Sequence, residues 1–274
     1  MTYSINTNQA ALIALQNLSD TQMSLSATQN IISTGKKVNT AQDNAAAWSI
    51  ANTMTSKVSA YDAVKDSLNR ATSTVDVAMS AGAQVADLLT QLKAQALAGS
   101  DSSLSATSLA SINQNFKALL TQLSDVVNNA SFNGVNMINS GGTTIYALAS
   151  DSGTKITVAA QSLALGGANV TIAAAASFAT AAAASAYVAT LTTDITNVNT
   201  ALSALGTGAN ALAGQLKFVS SLQNSLNTGI SNLVDADMAA ESAQLQALQT
   251  KQQLGIQALS IANQSTSALL SLFR

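Results

Sequence analysis

A chain of 274 residues with 47% hydrophobic composition can bury a sizeable core, yet only 9% of its side chains are charged, well under the roughly 25% usual for soluble domains. It contains no Cys and no His, which removes disulfides, most zinc and copper sites, and any Ser-His-Asp or Cys-His constellation; no enzyme, cofactor or metal is expected. A net charge of -2 gives no field to draw nucleic acid, and apolar runs such as 172–176 fall far short of the roughly 20 residues a membrane span needs.

The start, Met-Thr-Tyr-Ser-Ile-Asn, has neither the basic nor the apolar region of a signal peptide, so the protein is expected to stay inside or to leave by a signal-independent route. Pro is wholly absent, which permits very long helices. In the first segment Asn8, Ala11, Leu15, Leu18, Gln22, Leu25, Gln29 and Ile32 recur at alternating steps of three and four, the spacing that keeps one helical face against a neighbour. Asp20 is the only charged side chain before residue 34. Ile5, Leu12, Leu15, Leu18, Leu25 and Ile32 are the candidate contact residues here. Burying each contributes about 1.5–3 kcal/mol, while ordering the segment costs about 1–2 kcal/mol per residue, so this helix alone is marginal and is expected to order with partners.

Ser33 to Trp48 interrupts two helical patterns. Gly35 is the expected helix stop, Thr40 or Asp43 the expected cap of the next helix, and Trp48 a packing anchor. The stretch is either a simple linker or an ordered connector whose polar groups are satisfied by neighbouring copies. From Met54 to Ala96 two heptad series coexist, one through Val58, Tyr61, Leu68, Val75, Met79 and Leu89, the other through Val64, Ala71, Ala78, Val85, Leu88 and Leu92. A shorter helix is predicted over Leu104–Asn128, with Leu109, Ile112, Phe116, Leu119, Leu120 and Leu123 inward.

Between Ser131 and Ala176 the three-four spacing gives way to short alternating runs with Gly punctuation. Thr143–Ala149 and Lys155–Ala159 flank Ser-Asp-Ser-Gly as a hairpin, Asn169-Val-Thr-Ile forms another strand, and the Ala-rich run Ala173–Ala186 starts the returning helix. The series from Val188 through Leu191, Ile195, Val198, Leu202 and Leu205 to Leu233 then continues without a slip, a rod of about 70 Å. Gly206 and Gly208 each weaken its middle by roughly 1 kcal/mol relative to Ala.

Asp235, Asp237 and Glu241 cluster where this rod meets the last helix; their spacing fits a helix-start charge effect better than a cation site. The last segment carries two seams. One runs Leu245, Leu248, Gln252, Gly255, Leu259, Ala262, Thr266, Leu269, Phe273, and the other Leu254, Ala258, Ile261, Ser265, Ala268, Leu272. Two seams without flanking Glu and Lys favour multi-helix packing, as in a tube, over a two-stranded coiled coil. The expected fold is mainly α: a long antiparallel helical coiled-coil bundle with paired N- and C-terminal helices and a small β-rich region at mid-chain, the distal tip of a hairpin-like rod.

Ser4-Ile-Asn-Thr-Asn, Ser33-Thr-Gly-Lys-Lys-Val-Asn-Thr-Ala-Gln-Asp-Asn-Ala-Ala, Phe132-Asn-Gly, Val234-Asp-Ala-Asp-Met-Ala-Ala-Glu-Ser and Ser260-Ile-Ala-Asn-Gln-Ser occur in that order, and with them nearly the whole chain resembles bacterial flagellin. The resemblance implies a filament for motility, with terminal helices and connector (1–43 with 236–274) in an inner core, a long-helix rod (44–130 with 180–235) around it, and a variable surface region (131–179). Large outer domains are absent. It implies a homopolymer with sibling flagellins, unfolded export through the flagellar type III apparatus with an export chaperone, contact with hook-associated and cap proteins, and an extracellular location. The expected subunit interface adds Leu245, Leu248, Leu254, Leu259, Ile261, Leu269, Leu272 and Phe273 to the N-terminal set.

Two departures stand out. The family often has Pro after its Ala-Asn-Gln, where Asn263-Gln-Ser-Thr-Ser stands here, so the helix is expected to run straighter. The similar place to the Arg-containing stretch sensed by animal toll-like receptors reads Asp87-Leu-Leu-Thr-Gln-Leu-Lys-Ala-Gln, so weak receptor activation is expected. A hook-filament junction protein shares the helical ends but is usually longer with more divergent ends. A surface adhesin would use the β region, where Phe132, Tyr146 and Phe178 are too scattered for a sugar platform.

Overall fold

The computed structural model describes residues 7–271, with side chains described through residue 264. The described chain is mainly α, as the periodicities require. It divides into two compact units, one drawn from the chain up to Ser56 and from Ser225 onward, the other Lys57–Asn224.

In the first unit, α1 (Gln9–Thr34) opens at Asn8, whose side chain accepts the Ala11 N–H at 3.1 Å. It stops where expected, at Gly35, whose φ of 71° is open to glycine and strained for other residues. α2 (Ala45–Gly99) starts well before Met54 because Asn44 caps it: its side chain accepts the Ala47 N–H at 3.0 Å and its carbonyl the Trp48 N–H at 2.9 Å. Neither Thr40 nor Asp43 performs that role. The Asp43 carboxylate instead accepts the Asn39 and Thr40 N–H groups at 3.0 and 2.8 Å and the Thr40 hydroxyl at 3.1 Å, closing the connector's own turn. Those donors, the Thr40 N–H foremost, hold its carboxyl below the usual aspartate value. Trp48 is 39% exposed, so it does not anchor this unit.

The second unit is built on the heptad positions. Along α4 (Ala181–Val234), Leu191, Val198, Leu205, Leu212 and Val219 are all 0% exposed, one per heptad. Val64, Leu68, Val75, Val85, Leu89 and Leu92 of α2 and Phe116, Leu120, Leu123 and Val127 of α3 (Ala106–Asn129) are buried as well, and the Phe116 ring lies 5.7 Å from that of Tyr187 on α4. Ser105 caps α3 by accepting the Ser108 N–H. Gln223 takes a buried heptad position; its amide donates to the Val58 carbonyl at 3.0 Å and to Asp62 at 2.8 Å, so no polar group is stranded there.

Two small hairpins occupy mid-chain. β1 (Ser131–Phe132) and β2 (Val135–Asn136) pair antiparallel across Asn133-Gly134, where both residues have positive φ, the backbone an Asn-Gly turn supplies. β3 (Ile145–Leu148) and β4 (Lys155–Val158) pair antiparallel across Ser-Asp-Ser-Gly, the expected hairpin, with Ile145 opposite Val158 and Leu148 opposite Lys155.

The expected strand at Asn169–Ile172 is not one. Its backbone has a single bridge, Leu165 to Val170, and the Thr171 and Ile172 N–H groups go to the Asp194 carboxylate at 2.9 and 3.2 Å, joined by the Thr171 hydroxyl at 2.8 Å. Asp194 is fully buried, so a carboxylate on α4 takes over what a neighbouring strand would have supplied. The Ala-rich run also starts its helix later than expected, after Thr180, whose hydroxyl accepts the Ala183 N–H; Ala173–Ala176 is a turn, and Phe178 is buried against Phe116 at a ring separation of 5.2 Å.

Gly208 has a packing role that offsets its helix-weakening effect. A Cβ there would lie 2.6 Å from Val158 Cγ1 and 3.0 Å from Cγ2, so the glycine is the notch on which β4 seats. Gly208→Val is expected to cost about 2 kcal/mol through overpacking and to lower the melting temperature by roughly 5 °C, read by circular dichroism. An unchanged melting temperature would show that the hairpin moves aside freely.

Candidate assembly surface on the terminal helices

The connector after α1 is hydrogen-bonded to the segment before the last helix of its own chain. Lys36 bridges Asp235, the Lys37 and Val38 N–H groups share the Val234 carbonyl at 2.8 and 3.3 Å, and the Ala236 N–H returns to the Gly35 carbonyl at 3.0 Å. Beneath these bonds Val38, Ala51 and Val234 form a small core with Ala47, Ile230 and Leu233. The acidic cluster starts the last helix, as its spacing suggested. Asp237 accepts the Ala239 and Ala240 N–H groups at 3.0 and 3.3 Å, and Glu241 lies in the first turn of α5 (Met238–Ser271), where negative charge suits the helix dipole.

α5 runs back antiparallel to α1. The pairing is marked by Asn8 donating to the Ala262 carbonyl at 2.8 Å, by Leu18 against Gly255, and by the Gln252 amide donating to Gln22. A Cβ at Gly255 would sit 3.2 Å from Leu18 Cδ1, so the glycine lets the helices close. On α5 the face toward α1 is the first seam: Leu248 is buried, and Leu245, Gln252, Gly255, Leu259 and Ala262 are half-buried. On α1 the inward face passes through Ala11, Ala14, Leu18, Thr21, Leu25, Thr28 and Ile32, so small side chains replace Leu15, Gln22 and Gln29 of the expected series. Leu15 is turned out because closing on α5 favours Ala14 and Thr21.

Apolar side chains on both sides of this pairing are left uncovered. Leu12, Ile13, Leu15 and Met23 of α1 are 52–63% exposed, and Leu254, Ile256 and Ile261 of α5 are 54–68% exposed. Of the sequence-derived candidates, Leu18, Leu25, Ile32, Leu245, Leu248 and Leu259 therefore hold the two helices together, while Leu12, Leu15, Leu254 and Ile261 face outward. Ile5, Leu272 and Phe273 lie outside the described residues, as does the side chain of Leu269. Ile13, Met23 and Ile256 belong to the outward surface and were not singled out by spacing, since they fall between the seams. No helix among the described residues is long and apolar enough to cross a membrane.

A family model for the bacterial flagellin N-terminal helical region matches residues 5–143, and one for the bacterial flagellin C-terminal helical region matches residues 188–273. Flagellin FljM of Caulobacter vibrioides is 49% identical over 271 residues, covering 99% of this chain and 98% of that protein. The chain belongs to the bacterial flagellin family. Flagellin FljJ of the same bacterium is 39% identical over 279 residues, covering 100% of this chain and 99% of that one, and the flagellin of Brucella melitensis biotype 1 is 37% identical over 284 residues, covering 99% of each. The crystal structure of Bacillus cereus flagellin shares the fold, with a TM-score of 0.50 at 20% identity over 56% of this chain and 88% of that one. This flagellin is thus a structural subunit of the flagellar filament, not an enzyme, and it self-assembles with its own kind. The β1–β2 hairpin falls within the first of these matched regions, while residues 144–187, with the β3–β4 hairpin and the loop after it, stand between the two.

Proposed function

We propose that the outward apolar surface of α1 and α5 is the face by which this flagellin joins the filament, and that the terminal helices with the connector (1–43 with 236–274) form its inner core. The rod of 44–130 with 180–235 surrounds that core, and 131–179 is the outer surface. The observation that carries the reading is the uncovered second seam: Leu254 and Ile261 are 58% and 68% exposed beside a first seam already used within the chain. Single exposed apolar residues are ordinary, but a charge-poor helix pair with apolar faces on both sides calls for further partners. Copies of the same chain supply such faces, and the low charge leaves nothing to repel them.

The same reading places the chain outside the cell after export through the flagellar type III apparatus, with a chaperone on α5 beforehand and hook-associated and cap proteins at the filament ends. Each presents or shields the same seam. Removing residues 254–274 is expected to leave a helical, soluble protein that forms no filaments. Electron microscopy of the truncated protein after a salt-induced assembly trial checks this, and filaments would contradict it.

A further inference from the structure

With no Cys in the chain, thioethers are its only sulfur side chains, and the structure sorts them sharply. Met137 is fully buried, Met54 and Met79 are half-buried, and Met238 is 42% exposed at the start of α5. Among the described methionines Met23 is the most exposed, at 63%, and it alone of these lines the open groove between α1 and α5, beside Leu15, Leu18 and Ile256. We propose that Met23 is an oxidation site coupled to assembly: a hydroperoxide converts it to the sulfoxide in the free subunit, a neighbouring copy shields it in the filament, and the sulfoxide form assembles poorly. The proposal rests on the reading that copies of this chain cover the outer face of α1.

The chemistry balances without a cofactor. A sulfur lone pair attacks the terminal oxygen of the hydroperoxide and the O–O bond breaks. Sulfur gains one oxygen and loses two electrons, and the hydroperoxide is reduced to water or an alcohol as its proton passes to the departing oxygen. The product replaces a flexible apolar tip with a strong hydrogen-bond acceptor. Between Leu15 and Ile256 that acceptor must shed water when a neighbouring copy covers the groove, a desolvation cost the thioether does not carry. A second copy is the occupant because this chain is a filament subunit and the groove continues the charge-poor face on which Leu12 and Leu15 also lie exposed.

The test treats full-length monomer and preformed filament with hydrogen peroxide, maps sulfoxides by peptide mass spectrometry, and measures the critical concentration for assembly by sedimentation. Met23 is expected to oxidise first in the monomer and to be protected in the filament, with the oxidised monomer needing about tenfold more protein to polymerise. Methionine sulfoxide reductase restores assembly, untreated Met23→Gln shows the defect without oxidant, and Met23→Leu keeps assembling after treatment. Equal oxidation of Met23 in monomer and filament, or full assembly of Met23-oxidised protein, would overturn this inference while leaving the filament reading intact. Failure of untreated protein to polymerise would overturn both.

Discussion

Replacing both Leu254 and Ile261 by aspartate is expected to abolish filament formation without changing the helical content of the monomer. Both side chains are more than half exposed in the single chain, so little burial within the subunit is lost. In the filament each would contribute about 1.5–3 kcal/mol on burial, and each aspartate would bring a desolvation cost of several kcal/mol in its place. The sum raises the critical concentration by at least about four orders of magnitude, since every 1.4 kcal/mol is tenfold. Sedimentation and circular dichroism of the purified variant read the two halves of this prediction. Assembly near the parental concentration would mean that the outward seam of α5 is not a contact face.

The second large effect is expected inside Lys57–Asn224. Asp194→Ala leaves the Thr171 and Ile172 N–H groups and the Thr171 hydroxyl without their acceptor at a fully buried position. Hydrogen bonds to a charged group are worth about 1.5–3 kcal/mol each, so with partial rescue by water the loss is about 4 kcal/mol, or roughly 10 °C in melting temperature. Asp194→Asn keeps one acceptor oxygen and is expected to lose about half as much. Thermal unfolding followed by circular dichroism separates them; a melting temperature unmoved by the alanine variant would show that the 169–172 loop finds other acceptors.

These two sites differ in how far the residues announced them. The heptads of α4 were legible because apolar residues recur at steps of three and four along the whole helix, and one per heptad, the Leu191-type position, is fully buried. The first seam of α5 was legible for the same reason. The inward face of α1 was not, because Leu12, Leu15 and Leu18 spread around the helix and leucine spacing alone does not say which of them meets α5. In the structure Leu18 closes on Gly255, and Ala14 and Thr21 share its half-buried face while Leu12 and Leu15 are exposed. The start of α2 was legible to within a residue, since Asp43 was one of the two expected caps and its neighbour Asn44 takes the role.

The Asn169–Ile172 stretch has strand composition, but its N–H groups are claimed by Asp194, a residue distant in the chain that no local pattern reveals. Gly208 likewise looked like a weak point in a helix. Only the position of Val158 shows it to be a seat for the hairpin.

The central claim is that the charge-poor outer faces of α1 and α5 are made for copies of this chain. An electron cryo-microscopy reconstruction of filaments grown from the purified protein tests it most directly. The account predicts Leu12, Leu15, Leu254 and Ile261 buried against neighbouring subunits in the inner core; a filament in which these side chains face solvent, held together by Lys57–Asn224 alone, would contradict it.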